Sequence, residues 1–132
     1  MDRLTKIFRV VLPIYWAFLT YMLLRPGVEN KEYWFMFPHI DKLMHFSIFG
    51  FLAVCVLFAF PRLRFLMFVQ LMLAYGILTE ILQDIMGYGR SLELLDIVAD
   101  ILGALVGYGI YRIAKSYLER TSTADNLRNQ LD

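Results

Sequence analysis

Apolar residues fall into four long blocks along the chain instead of alternating with polar ones. A helix needs roughly 17–25 mostly apolar residues to cross about 30 Å of hydrocarbon. Four segments meet that length. The first runs from about Phe8 to Leu24 and stops at Arg25-Pro26; the second runs from about Asp41 to Phe60 and stops at Pro61. The third covers about Phe65 to Met86 and the fourth about Leu94 to Ala114, leaving residues 115–132 as a polar tail, either a short solvated helix or disordered. The pattern predicts an all-α polytopic membrane protein, a bundle of four transmembrane helices forming one domain.

Composition agrees with the pattern. Of 132 residues, 59% are hydrophobic and 16% aromatic, with a mean hydropathy of +0.56, above the roughly half-apolar make-up of a soluble domain. A net charge of +1 gives no reason to expect nucleic-acid binding. The single cysteine, Cys55, lies in an apolar block, which excludes an internal disulfide and a zinc site built on thiolates. Arg3, Lys6 and Arg9 precede the first block as in a signal peptide, but no small-x-small cleavage site follows at Met22 to Pro26, so the block reads as an uncleaved anchor.

Lys and Arg set the expected orientation. The N-terminal segment, the loop with Arg62 and Arg64, and the tail with Arg112, Lys115, Arg120 and Arg128 hold nine of thirteen. Arg25, Lys31, Lys42 and Arg90 make up the rest, partly offset by Glu29, Glu32, Asp41 and Glu93. Both termini are thus expected in the cytoplasm, with the first and third loops outside. The first loop carries Tyr33, Trp34, Phe35 and Phe37; such rings suit an interfacial belt, and a lid over a site is the alternative.

Ionisable residues within spans are costly and so point to function. At about 1.5 Å of rise per residue, His45 lies about 6 Å in from Asp41, Glu80 about 9 Å in from Met86, and Asp100 about 9 Å in from Leu94. Gln83 and Asp96 lie at about 4–5 Å and about 3 Å. Three spans therefore carry polar groups at similar depth in their outer halves. Asp41 and His45 are four apart, and Glu80 and Gln83 three apart with Gly76 on their stripe. Asp96, Asp100, Gly103 and Gly107 form a stripe on the fourth span. Gly103-Ala104-Leu105-Val106-Gly107 is a small-xxx-small pattern for close helix packing. Burying Glu80, Asp96 and Asp100 together requires cations or a shared proton; His45, Lys42 and Arg90 are the cations at hand.

Asp41-Lys42-Leu43-Met44-His45-Phe46 resembles the DK-x-x-HF signature of the VanZ-like family. Glu80-x-x-Gln83 followed by Arg90 and Asp96 resembles its E-x-x-Q…R…D stretch, and Gly103 and Gly107 its terminal G-x-x-x-G. Leu24-Arg25-Pro26 is similar to the family's proline after the first span, so the resemblance covers about Tyr21 to Tyr111. One position departs: where the family usually has asparagine, this chain has Asp100. The resemblance implies a small multi-span protein of a family named for low-level resistance to the glycopeptide antibiotic teicoplanin, with no settled biochemical activity.

Four roles fit these residues. In the first, the cluster binds the polar head of an amphiphile at the outer leaflet: a membrane lipid, a lipid-linked cell-wall precursor or a lipoglycopeptide. Asp41, Lys42, His45, Glu80, Gln83, Arg90, Asp96 and Asp100 would line the site, with Arg90 and Lys42 holding phosphate or carboxylate. In the second it is catalytic, with His45 a general base oriented by Asp41, and Glu80 and Asp96 acid or electrostatic groups. No cofactor is required, although a divalent metal on Glu80, Asp96, Asp100 and His45 is compatible with the donor set. Ser47 and Ser91 stand alone, and Ser91 suits a helix N-cap. In the third the cluster only fixes helix packing. The fourth, ion or proton translocation, fits least, since the inner halves offer only Gln70, Thr20 and tyrosines. Four spans leave room for a homo-oligomer.

Overall fold

The computed structural model describes residues 2–24, 40–87 and 92–131. It is all-helical: α1 Asp2–Leu24, α2 Ile40–Ala59, α3 Phe65–Met86 and α4 Leu94–Leu131. All four are long and apolar enough to cross a membrane. The aromatic stretch 33–37, Arg25-Pro26, Arg90 and Ser91 lie outside the described residues.

The breaks have local causes. Pro61 has no amide hydrogen and disfavours helical dihedrals at Phe60, so α2 ends at Ala59. The chain turns through a Leu63 N–H bond to the Phe60 carbonyl (3.0 Å) and restarts from an extended Arg64. Gly87 closes α3 at φ +64°, its amide donating to the Asp84 carbonyl. This left-handed cap favours glycine. α1 starts at Asp2, ahead of the first apolar block. α4 continues through the polar tail, so residues 115–131 are helical and largely exposed, the solvated-helix alternative, as the continuation of the fourth span and not disordered. Its 38 residues span about 57 Å at 1.5 Å each, well beyond about 30 Å of hydrocarbon.

The surface is apolar where a water-soluble bundle would be polar, and several polar residues are buried. Ile14, Phe18, Leu66, Leu102 and Ile113 are exposed, whereas His45, Thr79, Glu80, Gln83, Asp96 and Asp100 are buried. Broad exposed apolar surface of this kind suits a lipid surround. Around the bundle the helices run α1, α2, α4, α3, and the α2–α4 pair is the most extensive. The core holds Phe49, Leu52, Val56 and Phe58 of α2, with Phe68 and Met72 of α3 and Leu19 of α1. Phe49 reaches Tyr75 of α3 with ring centroids 5.6 Å apart.

Glycine sets the spacing of α2 and α4. A Cβ added at Gly103 would lie 2.0 Å from the Phe46 carbonyl oxygen, and one at Gly107 would lie 2.3 Å from that of Gly50. The two backbones therefore approach closer than any side chain allows, as small-xxx-small pairs permit. At one end of the bundle Arg9 of α1 donates to the Ala59 carbonyl at 3.0 Å, placing a cation on the negative pole of α2. At the other end Gln83 of α3 donates to the Leu23 carbonyl of α1 at 2.6 Å.

Candidate functional site

That second end gathers the charged residues. It holds the start of α2, the end of α3 and the start of α4. Asp41 and Asp96 sit in the first turns of their helices, where unpaired amides favour carboxylates. His45 lies one turn further into α2, and Asp100 one turn further into α4.

His45 is the hub. Its Nδ1 is 2.9 Å from Asp100 Oδ1. Its Nε2 faces Asp96 Oδ2 at 3.6 Å and Glu80 Oε1 at 4.0 Å. Glu80 and Asp100 are completely buried, and His45 and Asp96 nearly so. Glu80 Oε2 accepts the Glu93 backbone N–H at 3.1 Å. Among the described residues, Glu80 Oε1 and Asp100 Oδ2 have no hydrogen-bond partner. A Cβ on Gly76 would lie 3.1 Å from Asp100 Oδ2, so the bare glycine makes room for that carboxylate.

Lys42 forms a second node beside the first. Its ammonium lies 2.6 Å from Asp41 Oδ2, 2.5 Å from Glu93 Oε2 and 2.8 Å from Asp96 Oδ1. The outer carboxylates are open to solvent, with Asp41 and Glu93 side chains 53% and 48% exposed. Asp96 joins the nodes, one oxygen toward Lys42 and the other toward His45. Five carboxyl groups thus surround one ammonium and one imidazole, and the described cluster is anionic.

Two expectations from the sequence change. The carboxylate on the imidazole belongs to Asp100, not Asp41. Asp41 sits a turn nearer the helix end, where adjacent Lys42 takes its charge, while α4 delivers Asp100 to Nδ1. The Lys42 ammonium, expected to face a phosphate or carboxylate of a ligand, is surrounded by three carboxylates of the protein, as many as it has donors. Gln83 is buried at the same end, its amide turned to the α1 backbone. Arg90 falls outside the described residues. Glu93 was missed as a member of the cluster. It sits three residues before Asp96, a spacing that puts both on one side of the α4 N-terminus.

A four-helix membrane protein with a buried, carboxylate-rich cluster at one end is the class these features define. The VanZ/LLP1 family pattern matches residues 5–115 of the chain, which contain all four candidate spans in their apolar parts and the whole cluster. The protein belongs to the VanZ/LLP1 family. Comparison with curated proteins and with solved structures gives no match.

Proposed function

We propose that this VanZ/LLP1 protein lies in the plasma membrane with both termini cytoplasmic and binds the polar head of an envelope amphiphile at its outer-leaflet end. A membrane lipid, a lipid-linked cell-wall precursor and a lipoglycopeptide are the ligand classes that suit a charged site at head-group depth. A contribution to tolerance of glycopeptides such as teicoplanin would follow from binding the last two.

One observation carries the reading: buried carboxylates converge at one end of an otherwise apolar bundle, and two of their oxygens, Glu80 Oε1 and Asp100 Oδ2, accept no hydrogen bond among the described residues. A cluster serving only to pack helices gains little. Interhelical hydrogen bonds in membranes average about 0.6 kcal/mol, while a charged group within a span costs about 2.5–3.5 kcal/mol or more. Unsatisfied acceptors add to the cost of packing and suit a ligand that completes them. Because Lys42 is surrounded, the head group meets the cluster through amine or hydroxyl donors of its own, or through an intervening cation.

A second reading rests on the His45–Asp100 pair. A carboxylate on Nδ1 fixes the imidazole tautomer and leaves Nε2 facing Glu80 and Asp96, as in a general base. That supports an intramembrane acid–base or metal-assisted enzyme acting on the same amphiphile.

Native mass spectrometry of the protein released from detergent tests the binding reading. A retained lipid or lipid-linked mass is expected on the wild type and absent from Asp96→Asn. A delipidated protein with no affinity for any envelope lipid or glycopeptide would sink it.

A further inference from the structure

Three atoms of the inner node point at one another: His45 Nε2, Glu80 Oε1 and Asp96 Oδ2. Nε2 is 3.6 Å from the aspartate oxygen and 4.0 Å from the glutamate oxygen. A donor atom from each of these residues lies within 4.8 Å of those from the other two. Ligands bound at roughly 2.0–2.1 Å in a tetrahedral shell stand about 3.4 Å apart. Seating all three on one ion would draw the imidazole nitrogen and the two oxygens together by about 0.2 and 0.6 Å, and the Glu80 and Asp96 donors, within 4.8 Å of each other, by up to about 1.4 Å.

The other half of each side chain is already held. Asp100 Oδ1 engages His45 Nδ1 at 2.9 Å, the Glu93 amide engages Glu80 Oε2 at 3.1 Å, and Lys42 lies 2.8 Å from Asp96 Oδ1. Metal-binding histidines usually give their second nitrogen to a carboxylate in this way, and ligating carboxylates are themselves hydrogen-bonded. Glu80 adds an independent observation. Its side chain is completely buried, and Oε1, the oxygen aimed into the gap, accepts no hydrogen bond among the described residues. A dication there would offset the charges of Glu80 and Asp96 together.

We propose that His45, Glu80 and Asp96 form a divalent transition-metal site, with Asp100, Lys42 and the Glu93 amide as its supporting shell. One imidazole with two carboxylates favours ions of the zinc and manganese type over magnesium or calcium, which prefer all-oxygen shells. Three protein ligands would leave a coordination position open to a further ligand. Cys55 is buried ten residues along α2, about 15 Å from His45 at 1.5 Å per residue, and contributes no sulfur. The site stands on its own geometry. It would also supply the intervening cation of one of the two head-group modes above, but its test involves no added lipid.

Untagged protein in detergent is stripped with a chelator and titrated with Zn²⁺, Mn²⁺ or Co²⁺ alone. One equivalent is expected to bind. Zinc X-ray absorption of the wild type should show one imidazole and oxygen donors at about 2.0–2.1 Å, without the sulfur shell near 2.3 Å. Glu80→Gln and Asp96→Asn should each lose more than about 100-fold in affinity, and Asp100→Asn about 10-fold, the lower end for a supporting residue. Glu119→Gln, an exposed change at the far end of α4, should change nothing. A wild-type protein that takes up no stoichiometric ion overturns the site. So does a metal bound through sulfur or two imidazoles, or equal affinity in folded Glu80→Gln and Asp96→Asn proteins. The absorption spectrum needs no variant, so misfolding of a substituted protein does not shelter the proposal.

Discussion

Adding one methyl group at three glycines of α4 tests how the bundle holds its cluster. In Gly103→Ala the new carbon would start 2.0 Å from the Phe46 carbonyl oxygen; in Gly107→Ala it would start 2.3 Å from the Gly50 oxygen and 2.8 Å from Ala53 Cβ. Close carbon–oxygen approaches stop at about 3.3 Å, so α2 and α4 would have to part by roughly 1 Å. The obstacle is backbone on both sides, and no rotamer change relieves it. Overpacking of this kind costs about 1–3 kcal/mol, and these two sites belong at the upper end. Gly109, on the same helix, has nothing within 4 Å of its added carbon. There alanine should be neutral or stabilise by about 0.5–1 kcal/mol, from the lower entropy of the unfolded chain. The two classes should therefore differ by about 3–4 kcal/mol on adding these terms. Unfolding by SDS in mixed micelles, followed by circular dichroism, measures the difference. Parting the helices would also lengthen the His45–Asp100 contact, since Phe46 and Gly103 lie one and three residues from that pair. If Gly103→Ala and Gly107→Ala unfold within about 1 kcal/mol of Gly109→Ala, the close α2–α4 approach and the site geometry built on it are wrong.

Three further outcomes are expected. Gln83→Leu removes the bond to the Leu23 carbonyl and should lower stability by about 1 kcal/mol in the same assay, the scale of a membrane hydrogen bond; no change would mean that this tie is not formed. The Thr20 hydroxyl lies 2.8 Å from that of Tyr75, so a double-mutant cycle with Thr20→Val and Tyr75→Phe should give a coupling of about 0.5–1.5 kcal/mol, and zero coupling would contradict the contact. Single cysteines at Thr5 and Asn126, in a Cys55→Ala background, should resist a membrane-impermeant thiol reagent in intact cells and react after lysis; labelling in intact cells would refute the cytoplasmic placement of the termini.

Much of the fold was legible because hydrocarbon thickness imposes a length and Pro61 imposes a break. Helix ends were less so. Hydropathy reports what sits in lipid, and residues 2–7 and 115–131 are helical without being apolar. The cluster was legible as stripes, since Asp41 with His45, Glu80 with Gln83, and Asp96 with Asp100 each follow a helical spacing. The pairing between stripes was not. Whether Asp41 or Asp100 meets His45 depends on how α2 registers against α4, which the Gly103–Phe46 approach sets. The commitment of Lys42 was hidden for the same reason, since Glu93 and Asp96 come from α4. Spacing within a helix predicts a face, whereas the chemistry of that face depends on its neighbour.

The central claim is that the inner node exists to hold a ligand rather than to hold the helices. The most direct test is the double variant Glu80→Gln/Asp96→Asn, which keeps side-chain shape and removes two carboxylates. It should be scored for stability and for retained lipid by native mass spectrometry. The expected protein inserts, unfolds at or above the wild-type midpoint, and has lost the co-purifying amphiphile. A variant that fails to fold, or that folds and keeps the amphiphile at wild-type occupancy, would contradict that claim.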